Sequence, residues 1–267
     1  MFKNISTKGL NIGQVLLLTF FYMLFKILLV IGLSEILVFF IDDISLEIEF
    51  GEFLSAFIVL FLFILLFKKV LKIRENKYLP FPMVKFLLLT VIGVIGFRLL
   101  EDPFFRFKNI FFEKHLLNLS EIETISFSVS LMLRAIYAVL LIPIIEELLF
   151  RKIIFKTLLK KYSKLWLAIL ISSVLFSLIH LSIVSFLPKL IFGIIVAYIY
   201  YKSNNIWYPI TFHVFSNLLW FLILINPRGY WILLEKLNFK ISYWLVVVIG
   251  IGLISLFINQ YRKIKIN

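Results

Sequence analysis

The sequence predicts an all-α, polytopic membrane protein of about eight transmembrane helices, with a polar site buried among spans four, five and seven. Three observations lead there. Of 267 residues, 62% are hydrophobic and 18% aromatic, and the mean hydropathy is +1.05, whereas soluble domains average about 45–50% apolar residues. The excess arrives in blocks of roughly twenty residues, the length that crosses about 30 Å of hydrocarbon. The segments between blocks alternate in charge, the pattern that orients membrane chains.

The spans expected in order are 15–40, 53–70, 82–100, 126–150, 165–184, 187–202, 205–225 and 241–259. Lys3 and Lys8 precede the first. No small-residue cleavage site follows a short apolar core, so the block reads as a span and not a cleaved signal. Its Lys26 and Glu35 read as snorkelling or facing the bundle interior. The connection 41–52 carries five acids and no base, and 68–85 carries six bases and one acid. Residues 101–124 mix charges with aromatic residues and read as an amphipathic segment in the outer interface. The stretch "RKIIFKTLLKKYSK" reads as a basic extension of span four, its lysines among anionic headgroups. Residues 182–188 are uncharged, Lys202 marks the next turn, and Arg262, Lys263 and Lys265 close the chain. Loop charge and an even span count, taken separately, both put the two termini in the cytoplasm. The whole of 1–267 reads as a single integral membrane domain, with 126–225 as the segment that holds its glutamate pair and both intraspan histidines.

The net charge of +13 follows these short basic stretches, so it speaks for orientation and against nucleic-acid binding. The chain has no cysteine, which removes disulfides, thiol nucleophiles and thiolate metal ligands. The abundance of Phe, Ile, Lys and Asn suits an AT-rich bacterial genome, and hence a bacterial plasma membrane.

Ionisable groups inside a bilayer are the first place to look for function. Asp42, Asp43 and Asp102 fall at expected loop positions, so a catalytic aspartate pair is not expected. The glutamates within apolar segments are Glu35, Glu146 and Glu147; His180 and His213 lie inside spans, and His115 lies in the interfacial segment. Arg134 reads as a snorkelling or packing residue. Ser172, Ser173 and Ser177 read as helix-packing residues, with no G-x-S-x-G elbow around them. Glu147 and Arg151 are four residues apart and share a helix face, while Glu146 points about 100° away. Phe176 and His180, and again His213 and Asn217, repeat that four-residue spacing.

In order along the chain these read E-E-x-x-x-R in "EELLFR", F-x-x-x-H in "FSLIH" and H-x-x-x-N in "HVFSN". The set resembles the CPBP family of intramembrane proteases, also called the CAAX protease and bacteriocin-processing (Abi) family, over roughly 126–225. The resemblance implies that Glu146 is the general base that activates water and that His180 helps to hold this water. It implies that His213 and Asn217 stabilise the oxyanion, and that Glu147 and Arg151 complete and orient the first motif. A carboxylate desolvated in a membrane is a stronger base than one in water. Asn and His donors aimed at an oxyanion act strongly in a dry site.

The same residues leave a second mechanism open. One Glu and two His form the ligand set of many zinc sites, so Glu146, His180 and His213 could hold a divalent metal such as zinc. The H-E-x-x-H helix of zinc peptidases is absent, which favours glutamate-activated water. The expected partners are a membrane-associated peptide or protein substrate and the lipid bilayer. The expected settings are bacteriocin self-immunity or peptide processing, with prenyl-CAAX cleavage as an alternative. Two readings from other classes remain: a proton-coupled transporter using the same groups as a relay, and a non-catalytic membrane scaffold. No inverted repeat with broken spans supports the transporter.

One conflict follows from helix lengths. With short spans, Glu146 lies near the cytoplasmic side and His180 near the outer end of span five. Span four must then continue past Arg151, or span five must begin in the interface.

Overall fold

The structure is a computed structural model, which describes residues 9–71, 75, 81–108, 127–230, 232 and 240–264. His115 and most of the expected interfacial segment lie outside them. The described residues form helices and no strand. In chain order the helices are α1 Ile12–Leu37, α2 Ile44–Leu71, α3 Met83–Lys108, α4 Val129–Tyr162, α5 Leu165–Leu178, α6 Ile183–Ser203, α7 Trp207–Ile225 and α8 Ile241–Arg262. Seven are long and apolar enough to cross a membrane. The protein is an all-α polytopic membrane protein.

The exception is α5. Its 14 residues rise about 21 Å, short of the ~30 Å hydrocarbon core. The expected span 165–184 ends early because the backbone turns at Ile179–Leu181. There the His180 N–H donates to the Ser177 carbonyl at 3.3 Å and Leu181 adopts a φ of 49°.

Two other boundaries move for physical reasons. The acidic stretch 41–52, expected as a connection, is largely the first turns of α2. The Asp43 carboxylate accepts from the Leu46 N–H at 3.0 Å, and acids in a first turn complement the helix dipole. The second is the end of α4, which continues past Arg151 to Tyr162, 34 residues in all. It stops at Ser163, which takes a left-handed conformation with φ 54° and caps the Leu159 carbonyl.

The chain divides into two compact units, 1–75 with 127–181 and 76–126 with 182–267. The first contains α1, α2, α4 and α5. Helix α1 is anchored at its start by a capping box between Asn11 and Gln14, and it buries only Val15 and Thr19. So apolar a helix with so little buried surface suits lipid. Ala56, Val59 and Ile145 form a tight cluster against which Tyr22, Leu60 and Leu141 pack. Further along α4, Leu149, Phe150, Ile153, Ile154 and Leu158 are fully buried.

The second unit contains α3, α6, α7 and α8. Its core is aromatic: Phe212 stacks on Phe257 at 5.1 Å, and Phe192 meets Phe97 at 5.2 Å. Helices α3 and α8 approach so closely at Gly96 and Gly250 that a Cβ on either would meet the other's carbonyl oxygen at 2.9 Å. Small residues permit this contact between membrane helices.

Candidate active site

Helix α4 is not a uniform α-helix. It runs α over Val129–Ala135, π over Ile136–Leu141, α over Ile142–Glu147, π over Leu148–Phe155 and α over Lys156–Tyr162. The two π segments bracket "IPIIEE". Such wide turns insert residues into the helical ladder and gather at functional sites. Pro143, in the first turn of the short central α segment, lacks the N–H that a regular ladder would use.

Glu146 and Glu147 stand near the middle of α4 and are buried. Glu147 and Arg151 are both 0% exposed, with Arg151 Nε 3.1 Å from Glu147 Oε2. This is an ion pair and not a hydrogen bond: no guanidinium nitrogen of Arg151 has a hydrogen-bond partner among the described residues. The Phe176 ring of α5 lies under the guanidinium at 4.9 Å. One residue further, Lys152 pairs with Glu75 at 3.2 Å. The basic extension therefore begins with two buried cations, and only Lys160, Lys161 and Lys164 are exposed as expected.

The conflict over depth resolves in the long α4. A 34-residue helix extends about 51 Å, and α5 turns back alongside its C-terminal half. Phe150 meets Phe176 edge to face at 5.5 Å, and Arg151 meets the same ring. From that contact Glu147 lies four residues back along α4, and His180 lies four residues on along the chain, in the turn that follows α5. Antiparallel packing puts both on the same side of the Arg151–Phe176 contact.

The orientation of His180 is set by its own helix. Its Nδ1 lies 2.9 Å from the Phe176 carbonyl. A carbonyl only accepts, so Nδ1 carries the proton and neutral His180 presents an unprotonated Nε2. The ring is half-buried and rests against Phe176 at 5.0 Å.

His213 and Asn217 belong to the second unit. Both lie on α7, one turn apart. His213 is buried, its ring against Phe192 at 4.8 Å, and Asn217 is half-buried. Within the first unit the structure brings together Glu147, Arg151 and His180 through Phe176. Among the described residues, no three His, Asp, Glu or Cys side chains form a group that could hold a metal ion.

Sequence reasoning missed three groups. Tyr22, the one polar side chain in "FFYMLF", lies within electrostatic reach of Glu146. Arg134, expected to snorkel or pack, pairs with Glu49 at 3.7 Å. Asp102, expected in a loop, is buried on α3 and accepts hydrogen bonds from Tyr230 at 2.7 Å and Tyr243 at 2.9 Å. The first had a signal, a lone phenol amid apolar residues; Glu49, the partner of Arg134, lay in the acidic stretch expected as a connection, and Asp102 lay in a mixed-charge stretch that read as loop. Ser172 and Ser173 are helix-packing residues as expected, their hydroxyls donating to the Ile169 carbonyl at 3.0 and 2.7 Å.

Residues 128–219 match a family described as "Type II CAAX prenyl endopeptidase Rce1-like". The chain is 37% identical over 89 residues to "Putative membrane peptidase YdiL" of Bacillus subtilis (strain 168), 33% of this chain and 36% of the relative. It is 43% identical over 67 residues to "UPF0177 protein YxdF" of Lactococcus lactis subsp. lactis (strain IL1403), 25% of this chain and 36% of the relative. The chain thus spans little more than a third of either relative's length. No solved structure shows significant similarity. These similarities bear out the resemblance to the CPBP family, and the family match lies on the segment that carries all three motifs.

Proposed function

We propose that the protein is an intramembrane endopeptidase of the CAAX-protease type, in which Glu146 activates the hydrolytic water. The observation that carries this reading is the register of α4 and α5. It carries a buried glutamate pair, one member neutralised by Arg151, and a histidine bonded through Nδ1 to the Phe176 carbonyl on the same side of the Arg151–Phe176 contact. Glu146 takes a proton from water, and the oxygen attacks the scissile carbonyl carbon. His180 Nε2 accepts a hydrogen bond from the same water and orients it. Glu146 then returns the proton to the leaving nitrogen as the C–N bond breaks. The roles of His213 and Asn217 as oxyanion donors rest on the motif resemblance alone. The absence of H-E-x-x-H supports a mechanism without metal.

The bacterial origin of both relatives supports a bacterial plasma membrane and a role in peptide processing or bacteriocin self-immunity. The family description supports prenyl-CAAX cleavage as the second reading. Loop charge supports cytoplasmic termini. Because the chain has no cysteine, single cysteines placed at 163 and at 182 would report by thiol labelling which side each turn faces. Labelling of 163 from outside intact cells would reverse the orientation.

The deciding experiment compares cells carrying the wild type with cells carrying Glu146→Ala at matched expression, mapping peptide N-termini in membrane and secreted fractions. Termini lost in the variant establish the protease and name its substrates. Identical termini return the protein to the transporter or scaffold classes.

A further inference from the structure

We propose that Phe176 is a positioning residue that couples Arg151 to His180; this rests on the reading of the site as a Glu146 peptidase. Four contacts meet on this one side chain and its backbone. Its ring face receives the Arg151 guanidinium at 4.9 Å. Its edge-on neighbour Phe150, at 5.5 Å and 90°, holds the ring upright. Its carbonyl takes the Nδ1 proton of His180 at 2.9 Å, and its ring backs the imidazole at 5.0 Å.

The physical need is specific. Arg151 is 0% exposed, and no guanidinium nitrogen has a hydrogen-bond partner among the described residues. Attraction to Glu147 fixes its distance but little of its direction. A ring face beneath the guanidinium supplies the missing direction, because the π quadrupole draws the cation onto the ring and gains strength when water is excluded. If the guanidinium drifts, Glu147 loses its counter-charge and the ring loses the contact that sets its tilt. The imidazole resting on that ring then loses its seat. An aliphatic side chain at 176 would preserve the carbonyl bond to His180 but not the cation contact, so the two functions of Phe176 are separable.

The test uses the full-length chain with phenylalanines of increasing ring fluorination at position 176, which weaken the quadrupole with little change of shape, plus Phe176→Leu and Phe176→Tyr. Two quantities are read. One is the thermal unfolding midpoint in detergent, in the wild-type background and in Glu147→Gln/Arg151→Met, where the ion pair is removed as a unit. The other is the cellular abundance of the N-termini that Glu146→Ala abolishes. We expect both to fall stepwise with fluorination in the wild-type background, and the midpoint to be flat in the double-variant background. Phe176→Leu should lose about ten- to thirty-fold in cleavage rate, and Phe176→Tyr should restore most of it. A flat midpoint series in the wild-type background overturns the contact. A stepped midpoint with flat cleavage overturns the positioning role and leaves a packing ring. Termini insensitive to Glu146→Ala would instead remove the peptidase reading, while the midpoint series still decides the coupling.

Discussion

The two units each bury a cluster of charge, and they do it in opposite ways. In the second unit the Asp102 carboxylate is closed off: one oxygen accepts from Tyr230 at 2.7 Å and the other from Tyr243 at 2.9 Å. Burial raises the pKa of the Tyr230 phenol, so it remains a donor at neutral pH. Arg98 pairs with Glu101 at 3.2 Å and lies over the Tyr230 ring at 5.4 Å. In the first unit the Arg151 cation is held by a neighbouring charge and a ring face. Directional bonds rigidify a buried network, so the Asp102 cluster works as a clasp between α3, α8 and the chain after α7. Non-directional contacts leave donors of Arg151 uncommitted, which suits a group serving a reacting centre. A buried charge is thus a weak guide to function by itself; how its atoms are satisfied separates the two cases.

The largest expected effect falls on the open cluster. Glu146→Gln should reduce cleavage by about 10²–10⁴-fold, the range for losing a general base. The thermal midpoint should hold, since Gln fills the same volume. A midpoint collapse would make Glu146 a structural residue like Asp102 and erase the contrast. Chelators should leave wild-type cleavage in place; loss of activity that zinc restores would install a metal in the mechanism.

Next comes stability in the first unit. Arg151→Met strands the buried Glu147 charge and should destabilise by about 3–5 kcal/mol, whereas Glu147→Gln/Arg151→Met should recover most of that loss. Unfolding midpoints in detergent check both. In the clasp, Tyr243→Phe should remove a hydrogen bond to a charged group and destabilise by about 1.5–3 kcal/mol. Cleavage per folded molecule should not change. A catalytic defect in Tyr243→Phe at full folding would show that the clasp does more than hold helices.

What the sequence made legible follows the same divide. The motifs of α4, α5 and α7 could be read because an i,i+4 pair is a helical signature in any context. Glu147 with Arg151 is found as that spacing implies. Asp102 was hidden because charges beside Pro103 suggest a loop, yet α3 carries the proline inside it and runs on to Lys108. The π segments left no trace, since six or eight residues of an i→i+5 ladder produce no apolar period distinct from an α-helix. The shortness of α5 was masked because "LSIVSFL" stays apolar through the turn, and hydropathy does not register a backbone reversal.

That reversal supports the smallest prediction, and it concerns the histidine on the open side of the comparison. Leu181 follows His180 with a φ of 49°, a conformation unfavourable for a residue with a Cβ, and its side chain is 73% exposed. Little packing is therefore lost on truncation, and the strain should be relieved. Leu181→Gly should stabilise the first unit by about 1 kcal/mol, as expected for a left-handed position. The freed turn would at the same time hold His180 less firmly, with its Nδ1 still bonded to the Phe176 carbonyl. A modest loss of cleavage beside that gain in stability would mark the turn as strain kept for positioning. A gain in both would show that Phe176 alone holds the imidazole. A loss of stability would mean that the exposed leucine is anchored by lipid.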